Sequence, residues 1–308
     1  MTRPSLYSSI GFKLAFIYAQ LMPRASAQWL APRIAAAIYK RLPQSKTALH
    51  ANLARITGLR GPELDALCCE NVENFSRMLA DYFLCMGPRA VPRAEALLAD
   101  LRGWEHLAAA RAAGRGTIIV TGHLGHWELG GILLAQRGLP LAVVTLDEPT
   151  PELTRWRDAF RQRLGIRTIA VGPGREFAFV EMIQALRRNE CVAMLVDRPY
   201  AGTGTPVRLF GHETEFSSAP ALLAKHTGAA VLPAFVLRQP GGRYISVAEP
   251  AVPMSATADL AANTQRIASA FEPSIRGHPA QWFHYVPIWS KNEAAQSLRE
   301  PPETTQSS

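Results

Sequence analysis

Gly116-Thr-Ile-Ile-Val-Thr-Gly-His123-Leu-Gly-His-Trp-Glu128-Leu-Gly-Gly131 decides the fold. Thr117 to Val120 are all β-branched, the composition of a buried strand. Gly122 breaks the run, and a helical spacing follows at Leu124, Trp127, Leu129, Ile132, Leu133 and Leu134. His123 therefore falls at the carboxyl end of a strand, where open α/β sheets place their ligands. Glu128 comes five residues later, in the first turns of the helix. One turn of backbone can bring its carboxylate to the His123 imidazole, fix the ring's tautomer and stabilise imidazolium as it forms. The other ring nitrogen could then take a proton from an acceptor hydroxyl.

Downstream the alternation continues. Strands are expected at 117–121, 141–145, 167–171, 191–197, 230–236 and 243–248, and helices at 125–137, 151–164, 175–188, 217–227 and 257–276. This pattern predicts an α/β fold, a mixed and mainly parallel sheet covered by helices on both faces. Upstream, residues 47–58, 62–86 and 94–113 read as helices. The α/β domain is expected over 46–292. The Gly-rich loop Tyr200–Thr205 follows no phosphate-loop pattern and reads as mobile, near the site entrance. Residues 293–308, ending Pro-Pro-Glu-Thr-Thr-Gln-Ser-Ser, read as a disordered tail.

Residues 1–45 read as N-terminal membrane-associating helices. Of the 308 residues 48% are hydrophobic, enough for a sizeable core, and the formal net charge is +8. The charge is unevenly spread: residues 1–60 carry nine Lys and Arg and no acid, the first being Glu63. Such a block suits an anionic membrane or nucleic acid, and the apolar residues mixed into it favour the membrane. The apolar run 8–22 is shorter than the roughly 20 residues a span requires. Residues 26–42 form a second helix with Trp29, Leu30, Ile34 and Ile38 on one side. These helices either lie in the interface or insert briefly, or else are core helices with a basic solvent face. Cys68, Cys69, Cys85 and Cys191 show no metal spacing and read as reduced and mostly structural, as in a cytosol-facing protein.

The chain has no Gly-x-Ser-x-Gly elbow and no cysteine placed beside a base. A histidine and carboxylate without a protein nucleophile suit direct transfer, in which an activated hydroxyl attacks a thioester carbonyl. Backbone N–H groups at the start of the helix after His123 could stabilise the oxyanion, and Gly125 could admit substrate close to that backbone. His126 makes His-x-x-His with His123, but no third metal ligand is placed by sequence. It is expected to line the entrance or to be exposed.

His-x4-Glu after a strand resembles the His-x4-Asp/Glu motif of glycerolipid-type acyltransferases. Further stretches resemble one branch, the late acyltransferases of lipid A biosynthesis and the related phosphatidylinositol mannoside acyltransferases. They are Arg161-Gln-Arg-Leu-Gly165, Met194-Leu-Val-Asp197-Arg198, Val207–Gly211, Phe216-Ser-Ser-Ala-Pro-Ala221, Ala224-Lys-His-Thr-Gly-Ala229 with Val231-Leu-Pro233, and His278-Pro-Ala-Gln-Trp282. The resemblance implies a glycerolipid acyltransferase-like fold with no metal and no bound cofactor. It implies transfer of a fatty acyl group from acyl-carrier protein or acyl-CoA to a lipid or glycolipid hydroxyl at the cytoplasmic leaflet of a bacterial inner membrane, without nucleic acid as a partner. His123 and Glu128 take the catalytic positions, and Arg161 and Asp197 the substrate-binding ones. Arg161 suggests a phosphate contact; Asp197 suggests orientation of the His123 region or a sugar contact. Two departures leave lipid A itself open as the acceptor. Pro287 and Ile288 stand where that branch has basic residues, and Arg198-Pro199 follows Asp197 in place of Gln-Asp. A phosphoglycolipid, an amine or a secondary metabolite remains open as acceptor, and so does hydrolysis by the same pair.

Overall fold

The computed structural model describes residues 9–148, 150–199, 203–255 and 257–289. Five helices come first: α1 (Ser9–Leu21), α2 (Arg24–Tyr39), α3 (Pro43–Thr57), α4 (Gly61–Cys85) and α5 (Ala90–Leu97). Then follow β1 (Leu98–Arg102), α6 (Trp104–Ala112), β2 (Thr117–Thr121), α7 (Trp127–Gln136), β3 (Leu141–Leu146), α8 (Pro151–Arg163) and β4 (Ile166–Val171). The remainder is α9 (Ala178–Arg187), β5 (Cys191–Leu195), β6 (Gly204–Leu209), β7 (His212–Ser217), α10 (Ala219–Thr227), β8 (Ala230–Arg238), β9 (Tyr244–Ala248) and α11 (Leu260–Gly277).

Seven strands form one sheet in the order β1-β9-β8-β2-β5-β3-β4. Every pairing is parallel except β8 with β9, so the sheet is mixed and mainly parallel, as the alternation predicts. β2 lies in the middle between β5 and β8, buried on both faces, which is why its sequence is an unbroken apolar run rather than an alternation. Its side chains still divide by period two. Ile118 and Val120 join Val192, Met194 and Val196 under α9, α10 and α11. Ile119 joins Cys191, Leu232 and Leu141 on the side of α6.

Two elements differ from the sequence expectation. The helix expected over 94–113 is broken into α5, β1 and α6. Leu98-Ala-Asp-Leu-Arg is compatible with a helix, but it pairs along the edge of β9, and Gly103 at φ +71° turns the chain against the Ala248 carbonyl where a Cβ has no room. The segment 204–217, which overlaps the expected loop only at 204–205 and is otherwise given no element by the sequence before 217, is a hairpin, β6–β7, separate from the main sheet. Its turn is Phe210-Gly211, both at positive φ, matching the handed twist that two-residue hairpins require. Ser217 N donates to the Val196 carbonyl (2.9 Å), which pins the hairpin to the end of β5. The expected mobile loop lies partly at 200–202, and the expected tail at 293–308; both lie outside the described residues.

α1 and α2 lie along α4. Phe12 of α1 meets Phe83 edge-on (4.7 Å) and Trp156 of α8 likewise (5.0 Å). Arg24 clamps buried Asp81 with Nε (2.6 Å) and Nη2 (2.8 Å), and Tyr244 donates to the same carboxylate (2.8 Å). All four cysteines are free; Cys69 is exposed and the other three are buried. No helix is long and apolar enough to cross a membrane among the described residues.

Candidate active site

His123 sits just past β2, where the strand has ended and α7 has not begun. The chain between them is not a helical turn. Leu124 bridges to Trp282 and Gly125 to Val236, with Gly125 N donating to Gln281 O (2.9 Å) and His126 N to Val236 O (2.7 Å). Gly125 is at φ +67°, and a Cβ there would collide with the Val236 carbonyl. The glycine therefore serves packing against β8, not substrate approach. The amides of 125 and 126 are likewise committed to the protein and are not the oxyanion donors expected from the sequence. In the first turn of α7 the amides of Trp127 and Glu128 lack helical acceptors, as at any helix start.

Across this extended link Glu128 pairs with Arg157 and Arg161. The expected His123–Glu128 hydrogen bond is not made. Asp197, just beyond β5, takes that place instead. Its Oδ1 accepts from His123 Nδ1 (2.9 Å), and its Oδ2 accepts from the His123 backbone N–H (2.8 Å), His284 Nε2 (2.8 Å) and Trp282 Nε1 (3.3 Å). Gly122 makes this approach possible, since a Cβ there would stand 2.6 Å from Oδ2. Burial pushes the Asp197 carboxyl up, but the charges and hydrogen bonds of the His123 and His284 rings outweigh it and hold it well below the carboxylate range. Burial also presses His284 down, against the pull of Asp197. An ionised Asp197 facing Nδ1 puts the ring proton there and leaves Nε2 of His123 with its lone pair free. The His123 side chain is 21% exposed, while those of Asp197 and His284 are at 0% and 1%. Trp127 stacks edge-on against the His123 ring at 5.4 Å.

His123, Asp197 and His284 also form a set whose ligand atoms lie within 4.8 Å of one another, the donor types a metal accepts. Both oxygens of Asp197 already accept hydrogen bonds, four in all, so the closeness of the set follows from hydrogen bonding alone.

Glu128 forms a second cluster. It pairs with Arg157 and, at 3.0 Å, with Arg161, while Arg157 also pairs with Glu148. Burial pushes the Glu128 carboxyl up, and Arg161 and Arg157 more than reverse it, bringing it to about 2. Arg161 is 4% exposed and spends Nη2 on Glu128. His126 is fully buried, not at the entrance. It caps α7, accepting from Leu129 N at Nδ1 (3.3 Å), and lies between the rings of Tyr82 and Tyr244. Burial lowers its pKa to about 4.

His123, Trp127, Glu128, Arg157 and Arg161 line one end of a cavity of about 380 Å³. From there it follows the sheet face past Ile119, Val143, Leu232 and Ala234 to Trp104. An apolar cavity with a histidine and fixed charges at one end suits an acyl substrate.

His284 and Trp282 hold Asp197 in place, and neither stands out as a site residue in the sequence. The segment that carries them is itself strapped to α3 and α4. Asn52 Nδ2 donates to His284 O and Val286 O (both 2.9 Å), Asn71 Nδ2 to Trp282 O (2.9 Å) and Asn74 Nδ2 to Ala280 O (3.3 Å). The sequence signals were the resemblance of His278–Trp282 to a family stretch and the comparison of Trp282–Trp289 with that branch's closing stretch, which contains His284 but singles out only Pro287 and Ile288.

A mainly parallel α/β sheet, a histidine held by a carboxylate and an apolar cavity beside it are features that an enzyme handling acyl chains would use. Residues 4–291 match the model of the bacterial lipid A biosynthesis acyltransferase family, and the chain belongs to that family. It is 32% identical to a phosphatidylinositol mannoside acyltransferase of Mycobacterium tuberculosis over 243 residues, covering 78% of this chain and 76% of that one. It is 27% identical to the phosphatidylinositol mannoside acyltransferase of Mycolicibacterium smegmatis over 283 residues, covering 92% and 91%. The protein is an acyltransferase.

Proposed function

We propose that the protein moves a fatty acyl group from a thioester, acyl-carrier protein or acyl-CoA, to a hydroxyl of a glycolipid at a membrane surface. The observation that carries this is the free Nε2 of His123, fixed by Asp197 at the mouth of the apolar cavity. His123 Nε2 takes the proton of the acceptor hydroxyl as its oxygen bonds to the thioester carbonyl carbon. The tetrahedral intermediate then expels the thiolate, to which His123 returns the proton. Asp197 stays ionised and stabilises the imidazolium between these steps. Glu128 acts with Arg157 and Arg161 to fix α7 against α8 at the cavity mouth rather than by touching the base. Arg161 faces the cavity and can meet an anionic group of donor or acceptor. Every atom of this exchange comes from the two substrates and the histidine, so no cofactor is invoked. The relatives' mannoside acceptor makes a phosphoglycolipid sugar hydroxyl the first acceptor to test, ahead of lipid A.

Membrane association is supported by α1 and α2, which expose Leu14, Ile17, Leu21, Trp29 and Ile34 beside Lys13, Arg33, Lys40 and Arg41. Arg33 lies 3.9 Å over the Trp29 ring, a pair suited to the headgroup region. The fitting location is the cytoplasmic face of an inner membrane, where acyl thioesters are made.

The test is transfer from radiolabelled acyl-CoA and acyl-carrier protein to phosphatidylinositol mannoside and to a lipid A precursor, with wild type and His123→Ala. Loss of about 10²–10⁴ in rate with the fold intact is expected. Wild-type transfer by the variant overturns the base assignment, and free fatty acid as the main product overturns transfer in favour of hydrolysis.

A further inference from the structure

A second depression, of about 500 Å³, opens where α1, the turn between α4 and α5, and α8 meet. Arg89, Arg93 and Arg163 line it, with Phe16, Gln20 and Trp156. It lies across α8 from the catalytic cavity: Trp156 and Arg163 are on one side of that helix and Arg157 and Arg161 on another.

Two of the arginines are held in place. Arg93 donates to Leu84 O (2.7 Å) and to the Gln20 side chain. Gln20 in turn donates to Phe83 O (2.7 Å). Arg163 donates to Met86 O (3.3 Å). Gly87 lets the wall close, because a Cβ there would run into the Gln20 amide. The anchors are neutral carbonyls and an amide, and among the described residues no carboxylate pairs with any of the three. The neighbouring acid Glu152 is on Lys13 (2.6 Å), and Asp81 is on Arg24. Burial and the nearby Arg89 charge press the Arg93 guanidinium downward. Three forked donors crowd around a polar hollow without a counter-charge, which is the arrangement a tetrahedral oxyanion relieves.

Phosphate is carried both by lipid headgroups and by the soluble thioester donors. α1 decides between them. Phe16 and Gln20 form the wall of the depression, and the adjoining face of the same helix exposes Leu14, Ile17 and Leu21. A helix lying with that face in the acyl boundary puts the hollow at headgroup depth. We infer that Arg89, Arg93 and Arg163 form a binding site for the phosphate of an anionic phospholipid headgroup, separate from the catalytic cavity. The inference rests on the membrane reading given above.

The experiment is flotation of the full chain on phosphatidylcholine vesicles carrying a minority of phosphatidic acid, or oleate at the same charge density. The variants are Arg89→Gln/Arg163→Gln, Arg89→Gln alone, and a charge-matched control, Lys40→Gln/Arg41→Gln. The Arg89 side chain makes no hydrogen bond or ion pair among the described residues, and its backbone carbonyl, which accepts from Arg93 N, is unchanged in Arg89→Gln, so the single variant keeps the fold. The double variant is expected to lose on the order of 10- to 30-fold in affinity for phosphatidic acid vesicles, well beyond the control. On oleate vesicles the two should lose equally. An equal loss on phosphatidic acid overturns the site while leaving the membrane reading intact. A wild type that floats on neither vesicle overturns both. A loss of calorimetric binding to coenzyme A, with vesicle binding retained, assigns the phosphate to the donor and overturns the lipid assignment.

Discussion

In the proposed mechanism Asp197 is the residue on which the chemistry depends most after His123. It carries four hydrogen bonds, two of which set the tautomer and position of the base. Asp197→Asn keeps the shape, but with its oxygen held by the His123 and Trp282 N–H groups its amide NH2 turns a donor toward Nδ1, so the ring must then carry its proton on Nε2. A fall in kcat of about 10²–10⁴ is expected, with little change in KM, and steady-state kinetics on a folded variant check it. Glu128→Gln should leave the base intact and act through α7 and α8. Its loss of kcat should be smaller than that of Asp197→Asn, and equal losses would restore Glu128 as the partner of the base. His126 offers a separate test. Its pKa is about 4 in the folded chain against an unfolded value of about 6.5, so between them the unfolded state binds a proton the folded state refuses. Stability is then lost as pH falls through that window, by on the order of 3 kcal/mol at most. His126→Asn keeps a capping acceptor and removes the titration. Thermal unfolding near pH 7 and near pH 4.5 should differ less in the variant; parallel pH profiles would refute the account. The position of His123 at the end of β2 was legible because strand, glycine and histidine are contiguous. Its neighbour was legible in part: Asp197 was expected to orient the His123 region or to meet a sugar, but it is 74 residues away, and the nearer Glu128 was expected as the direct partner. The bridges at Leu124 and Gly125 straighten the chain that a helical turn was expected to shorten.

At the scale of elements, the segment 279–286 closes the site from behind. It is held by amides of α3 and α4, helices remote from the catalytic strand in sequence. Asn71 is buried and also accepts from Tyr285 Oη (3.0 Å), so Asn71→Ala strands both a carbonyl and a hydroxyl. Destabilisation of about 1–3 kcal/mol is expected, by denaturant titration. Activity measured well below the unfolding midpoint should also fall, in kcat rather than KM, as His284 and Trp282 loosen around Asp197. A stability loss without any change in kcat would make the strap purely structural. Strands such as β2 and β5 were readable because burial on both faces demands β-branched and apolar runs. β1 was not, because an edge strand needs no such run, and Ala-Asp-Leu-Arg fits a helix equally well. The β6–β7 hairpin was hidden for a related reason: its burial alternates every second residue over only six, and its turn is Phe-Gly rather than Asn-Gly.

For the whole molecule, the bare apolar side chains lie on α1 and α2, where Lys13, Arg24 and Arg33 of the basic block also lie, with Lys40 and Arg41 just after α2. α1 is 13 residues long, or about 20 Å, too short for the roughly 30 Å of a hydrocarbon core. Its inner side is fixed: Phe12 and Phe16 pack on Trp156, and Gln20 bonds the end of α4. Leu14, Ile17 and Leu21 contribute little to that packing, at 62, 50 and 77% exposed. Replacing all three with serine should leave the melting temperature nearly unchanged. If the face enters a membrane, each side chain loses about 1.5–3 kcal/mol of transfer free energy when fully buried there. Partial burial of three still predicts a fall in vesicle affinity on the order of 10²-fold or more. Transfer to a soluble, short-chain acceptor analogue should persist, because His123, Asp197 and the cavity are untouched. Transfer to a vesicle-embedded glycolipid should fall with the affinity. Unchanged partitioning would mean that α1 meets something other than lipid. Loss of activity on the soluble acceptor would mean that α1 supports the catalytic cavity itself, through Trp156 and α8.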